Sequence, residues 1–503
     1  MTSHLIFTAA AAALLVTALG PALATGEVVN PDVGTDRSVD TCSAKTIVRS
    51  LVKEGMTDEA KALAIFHWLR RALFHSGPEE PLRHDFNNMI SIFGYGSCYM
   101  QTHPLSHLFQ QLGWPCRDWL HDGHHMIEVH YDGAWHCFDP HMTFYVYNRA
   151  KPRAIASVAE LRADRTLAFD AVKEQRTGPA FLICGDTPKW FAPGGRWVRH
   201  QDFLPHIGSD REFGAIRLAR GTRYVRTWKT GRFYKPHAFG GADIGPYHTC
   251  GTASDRRDKV NFPFWEPYLW KGKRVSHRHH GTGYLIYQPD LRGGGWKDAA
   301  LRFINLTGDP DTKQPALHPR AAGIDGEAIF FVDCPYIVSG AAIEMKQRGG
   351  REGDAISVSV STSWAGRRRK WTSVAFAGAG AKAAMKADIS EAVAGSIGGY
   401  WVRITIKAKD SKGAGIDSLK IHTDFQLNPY ALPYLMPGKN KLTATAGRND
   451  GPWNVRIAWS EGAGWKTPRK HKATIKGRSH EATVNVAGKK IPRMEAIEIS
   501  VDP

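Results

Sequence analysis

Cys98 follows the loop Gly94-Tyr95-Gly96-Ser97 and opens a stretch with helical spacing of apolar residues. A helix start gathers unpaired N–H groups and the positive end of the macrodipole, which lowers a thiol's pKa and favours the thiolate. A nucleophile made this way needs a base at the sulfur and a carboxylate to orient that base. His124 and Asp139 supply both types, in that order along the chain. The chemistry is acyl transfer: the thiolate attacks a carbonyl, and the backbone N–H of Cys98 is a candidate donor to the developing oxyanion. Nothing in these steps calls for a cofactor or a metal.

Three elements must hold these groups. Thr57 is a capping signal before Ala60, Leu63, Ala64, Phe66, Leu69 and Leu73, whose spacing predicts an amphipathic helix ending near residues 75–78. A second helix is predicted from Cys98 to Leu112, with Leu105, Leu108, Phe109 and Leu112 on one side, Gly113 as its stop and Pro104 inside it as an expected kink. The period then changes to two. Residues 124–131 and 134–139 read as strands joined by the hairpin signal Asp132-Gly133. Counting outward from that turn sets Met126 opposite Asp139. His124 then shares the face of Asp139, diagonally about 7–8 Å away along the backbone, and His125 points to the other face.

These segments together resemble the transglutaminase-like superfamily, a papain-related fold. TDEAKALAIFHWLRR, residues 57–71, is similar to that family's leading helix. GYGSCYMQTHPLSHLFQQLGWPCR, residues 94–117, resembles its nucleophile helix and the leucine-glycine-x-proline-x-arginine turn after it. HHMIEVHYDGAWHCFDP, residues 124–140, resembles its His strand, hairpin and Asp strand. The resemblance covers roughly residues 55–150, about one small domain. It implies Cys98 as nucleophile, His124 as base and Asp139 as orienter, and the hairpin count selects the same His124. Met126, where the family usually has an aromatic, and Pro104 in the nucleophile helix are departures that bear on substrate fit.

Outside this segment the sequence bounds the setting. The 503 residues carry 42% apolar and 23% charged residues, an ordinary globular composition at a length of several domains. Lys+Arg number 66 against Asp+Glu 48, a formal charge of +18, which favours anionic partners such as acidic polysaccharide or cell-envelope polymer. No phosphate loop, nucleotide fold or helix-turn-helix pattern accompanies the charge, so no nucleic acid is expected. The apolar run LIFTAAAAALLVTAL, residues 5–19, with Ala22-Leu23-Ala24 after it, reads as a secretory signal (1–24) cleaved after Ala24. A secreted or periplasmic protein with no transmembrane anchor after cleavage is expected. Of the seven cysteines, Cys116 and Cys137 are expected on neighbouring strands as a disulfide. His103 with His107, and His277 with His279 and His280, are weak metal candidates, and the metal expectation is none.

The predicted architecture is an α+β transglutaminase-like (papain-like) domain over 40–190, followed by mostly antiparallel β-sandwich domains. An aromatic-rich, mainly β region spans 191–310, with Trp197, Trp228, Trp265 and Trp270, and Trp190 just before it, among many cations. A sandwich of strands near 327–333, 338–347, 356–360, 370–377, 402–406 and 416–425 fills 311–430, and a small β-module fills 431–503. The function expected is an exported cysteine-dependent enzyme that hydrolyses or transfers amide bonds of a protein, peptide or cell-envelope substrate through Cys98, His124 and Asp139. The alternatives are an enzyme that degrades or binds an anionic polysaccharide with the same site, and a non-catalytic carbohydrate or cell-surface binding protein.

Overall fold

The computed structural model describes residues 26–75, 85–121, 123–140, 144–151, 154–171, 173–176, 197–201, 213–229, 232, 234, 268–270, 273–275, 281–362, 370–378 and 384–503. The signal expected at 1–24, His277, His279 and His280, and Trp190 and Trp265 lie outside them. Among the described residues no helix is long and apolar enough to cross a membrane.

The α/β unit begins with the helix Ala44–Leu51, closed by a reciprocal capping box between Ser43 and Thr46. The leading helix Asp58–Ala72 starts where predicted: the Thr57 hydroxyl accepts from the Ala60 N–H, Asp58 and Glu59 occupy the first turn, and Arg70 and Arg71 the last. The helix predicted from Cys98, called the nucleophile helix after its candidate residue, is Cys98–Gln110, two residues shorter than the expected end at Leu112. Its last turn tightens instead into the bonds Gln111 N–H to Leu108 and Leu112 N–H to Phe109, and Gly113 leaves at a φ of 76°. Pro104 stays inside one helix.

These helices cover one face of a four-stranded antiparallel sheet ordered Ala134–Phe138, His124–Tyr131, Cys116–His121, Trp197–Gln201. The hairpin turns at Asp132 and Gly133, φ 48° and 73°, and pairs Tyr131 with Ala134 through Ile127 with Phe138 in the counted register. Phe66, Leu69, Leu105, Leu108 and Phe109 meet Ile127, Val129 and Phe138 in one core. The other face packs Trp119, Met126 and Cys137 against Val158 and Leu161, the latter pair on a helix opened by the Ser157–Glu160 capping box.

The expected Cys116–Cys137 disulfide does not form; both are buried free thiols. Cys116 lies opposite Val129, and Cys137 opposite Glu128, so the central strand separates them and they belong to opposite faces and different cores. Strands two apart stand about 9–10 Å away from each other, beyond the reach of a bridge.

Downstream the chain is nearly all β. A ten-stranded sheet is built around Ala414–Leu427, which pairs with Ile337–Gly349 on one side and with Gly281–Tyr287 on the other. From Gly281–Tyr287 it continues through Thr222–Thr227 and Arg493–Ser500 to Trp453–Glu461 and Thr467–Ile475. One sheet therefore draws strands from all three regions expected downstream of residue 190. A five-stranded sheet, containing Gly326–Val332, Tyr400–Lys407 and Ala355–Ser361, shares its core: Phe330, Val358 and Ile404 pack in one cluster with Ile343, Ile421 and Phe425. The first described strands join this half, since Asp32–Thr35 pairs with Gly438–Thr445 and Val28 lies between Leu218 and Asn449.

Asn428 joins the two halves. Its side chain is fully buried and donates from Nδ2 to the carbonyls of Ala72 (3.0 Å) and Ile90 (2.6 Å), while its backbone N–H donates to Ser91 (2.8 Å). Those carbonyls end the leading helix and lie in the π-turn Met89–Phe93 just before the nucleophile loop. Asn428→Ala leaves two buried carbonyls without this donor, so a loss of about 2–4 kcal/mol in chemical denaturation is expected. A change below about 0.5 kcal/mol would contradict this role.

Candidate active site

Gly94 breaks the π-turn with a φ of 69°, and a side chain there would collide with Asn428, so the loop to Cys98 requires glycine at this point. Ser97 is the N-cap by backbone but makes no capping bond, and its hydroxyl is buried without a hydrogen-bond partner. The first turn of the nucleophile helix also has no acidic residue. The helix start is thus left to the Cys98 sulfur rather than neutralised by a neighbouring side chain.

Behind the loop, Gln101 donates from Nε2 to the Gly96 carbonyl (3.1 Å) and accepts from Arg70 Nη1 (3.2 Å), which also reaches the Leu73 carbonyl (3.3 Å). Gln101 and Arg70 are both buried. This line ties the nucleophile loop to the end of the leading helix. Sequence spacing did not single out either residue; a polar Gln on the buried side of the nucleophile helix was the available signal.

On the facing strands, His124 Nε2 lies 2.7 Å from Asp139 Oδ2, and both side chains are buried. The His124 imidazole also acts on the Cys98 thiol, by charge and as a donor, and lowers its pKa. The structure therefore brings together the three residues chosen from sequence, with Cys98 half-buried and the other two enclosed. His125, on the opposite face as counted, pairs through Nδ1 with Asp118 Oδ2 at 2.8 Å. The ring of Tyr99 stands edge-on to His125 with centroids 4.9 Å apart. This second His–Asp pair was not foreseen.

The opposing forces at the thiol can be ranked. Burial alone raises the Cys98 pKa; the hydrogen bond and positive charge of His124 and the His125 N–H outweigh burial and the repulsion of Asp139, and the thiol sits below its ordinary 9.0. Burial likewise opposes a charge on His124. Asp139, by charge and hydrogen bond, and then Cys98 overcome it and push the imidazole from 6.5 up to about 10. Both shifts move the pair in the direction of thiolate and imidazolium.

Glu128, on the same face of the strand as Met126, ties that strand to its surroundings. This buried carboxylate accepts from Arg117 Nε (2.6 Å), the Trp119 indole N–H and the Val158 N–H (2.7 Å). The Arg117 guanidinium also stacks on Trp135 at 3.9 Å. Elsewhere, His103 and His107 stay buried in the nucleophile helix, and among the described residues no group of three or more His, Cys, Asp or Glu could hold a metal ion.

No protein-family model matches this chain, and no curated protein does. Among solved structures, a Ruminococcus gnavus β-glucuronidase is similar over 47% of this chain and 43% of its own at 11% identity, with a TM-score of 0.16. A candidate β-galactosidase from Bacteroides fragilis is similar over 54% of this chain and 36% of its own at 11% identity, with a TM-score of 0.13. The chain thus spans less than half the length of either.

Two outcomes follow from the pair. Because the folded pKa of His124 is raised, its stabilisation is complete below pH 6.5 and is lost as pH rises toward about 10. The melting temperature of the native chain should therefore exceed that of Asp139→Asn most at or just below pH 6.5, and the gap should close toward pH 10; a constant gap would contradict the pairing. In His124→Ala, burial and Asp139 are opposed only by the His125 N–H. Iodoacetamide labelling of Cys98 at pH 7 should then fall by about tenfold or more, with its onset moved to higher pH. Unchanged labelling would mean that His124 does not activate the thiol.

Proposed function

We propose that this chain is a cysteine-dependent acyl-transfer enzyme acting on amide bonds, with a transglutaminase-like arrangement of Cys98, His124 and Asp139. The observation that carries it is the buried His124–Asp139 pair at 2.7 Å, with the half-buried Cys98 thiol close enough to the imidazole for its charge to lower the thiol's pKa. It is supported by the helix start left uncapped by side chains at Cys98.

The Cys98 thiolate attacks the amide carbon, and the C=O electrons move to oxygen, against the Cys98 N–H. The tetrahedral intermediate collapses as the C–N bond breaks; His124 gives its proton to the departing amine, leaving a thioester on Cys98. Water or a second amine then attacks the thioester, His124 takes the proton, and the C–S bond breaks to restore the thiolate. Asp139 keeps its ring nitrogen and the imidazolium fixed through both halves. A protein, peptide or cell-envelope amide outside the cytoplasm is the substrate class proposed, and the +18 charge favours substrates with acidic surroundings.

Release of amine or ammonia from a peptide-amide library, with and without an added primary amine, tests this. Cys98→Ala should lower turnover by about 10⁴-fold or more, with a Cys98 acyl adduct visible by mass spectrometry in the native chain. Release by Cys98→Ala at an undiminished rate would end the proposal. Depolymerisation of an acidic polysaccharide that survives this substitution would favour the carbohydrate alternative.

A further inference from the structure

Behind the π-turn that precedes the nucleophile loop lies a cavity of about 530 Å³, within the range of small-ligand sites. None of Cys98, His124 and Asp139 lines it. Its walls come from distant parts of the chain: Asp32 and Cys42 near the start, Ser91 in the π-turn, Tyr224 and Arg226 on a strand of the large sheet, and Tyr336.

The wall charges are left incomplete. Arg226 is 8% exposed and always cationic, yet its Nε and Nη2 are buried without a hydrogen-bond partner. Tyr224 lies under the guanidinium at 5.3 Å, and Tyr336 and Asp32 act on it electrostatically. The Ser91 hydroxyl is also buried without a partner. Asp32, half-buried in the cavity wall, has its carboxyl raised above the ordinary value, burial and Asp40 outweighing the pull of Arg226. Buried charges are tolerated when paired, and here a cation and an anion share one cavity without forming an ion pair with each other.

A simple anion would meet the repulsion of Asp32 and Asp40, and a simple cation that of Arg226. Cys42 adds no reactivity, since burial and then the two carboxylates hold its thiol in the protonated form. We propose that the cavity binds a small zwitterion, an amino acid or short peptide with both ends unblocked, its carboxylate against Arg226 and its ammonium against Asp32. The volume exceeds a single residue and admits a peptide of two or three. This site stands apart from the acyl-transfer reading and does not depend on it.

Calorimetric titration of the full chain carrying Cys98→Ala, which removes any turnover, tests it with alanine and L-alanyl-L-alanine and with the N-acetyl and C-amide forms of each. At least one zwitterion should bind saturably at one per chain, and blocking either end should weaken it about tenfold or more. Asp32→Asn should erase the discrimination against the N-acetyl form, and Arg226→Gln that against the amide. Since substituting a buried arginine can unfold a chain, hydrogen exchange on Cys98→Ala alone gives a second readout: L-alanyl-L-alanine should protect residues 30–42 and 213–226. No saturable binding below about 10 mM, or a ligand that loses affinity on blocking only one end or neither, overturns the proposal.

Discussion

The amide side chain of Asn428 is the point on which the arrangement rests. It takes two carbonyls that no helix could satisfy, one at the end of the leading helix and one in the π-turn before Cys98, and supplies both from a residue of the β half. Because those groups are buried, losing the donor would strand them rather than return them to water, which makes the contact costly to break. Gly94 follows from the same contact: it approaches Asn428 so closely that no Cβ fits. The geometry of the nucleophile loop is therefore set partly by a residue more than three hundred positions away.

With the loop fixed, the site's charge state is decided by competition between burial and pairing. Burial alone would keep Cys98 protonated and His124 neutral, an inert pair. Asp139 reverses the order by stabilising the imidazolium, and the imidazolium in turn stabilises the thiolate against the direct repulsion of Asp139. The carboxylate thus acts on sulfur in two opposed ways, and the route through His124 prevails because the imidazole acts on the thiol more strongly than the carboxylate repels it. This order requires the His124 ring to be held in place. Glu128, two strand residues beyond Met126 and on the same face, fixes that strand to its neighbour and to Val158.

What could be read from sequence was what local rules encode. Thr57, Ser157 with Glu160, and Asp132-Gly133 mark their elements by capping and turn chemistry within a few residues, and the hairpin count carried His124 onto the side of Asp139. Partners set by long-range folding were not legible. The strand Trp197–Gln201 completes the sheet beside Cys116–His121 across a long intervening segment. Arg70 and Gln101 meet between two helices whose relative placement no spacing reveals. The Cys116–Cys137 error has the same origin: nearness in sequence order suggested neighbouring strands, whereas the actual sheet order inserts the His strand between them and turns the two sulfurs to opposite faces.

The connections between halves also bear on how such a chain folds. Ile92 and Phe93 of the π-turn belong to the core of the β half, and Ala431 of that half belongs to the core around the nucleophile helix. Val28 and Val33, near the start of the described chain, pack in the same cluster as Val501 near its end. Contacts of such separation require closure of long loops before they stabilise anything, so they form late and cooperatively. The nucleophile loop, held by Asn428 and Phe93, acquires its shape only when the β half has closed on it.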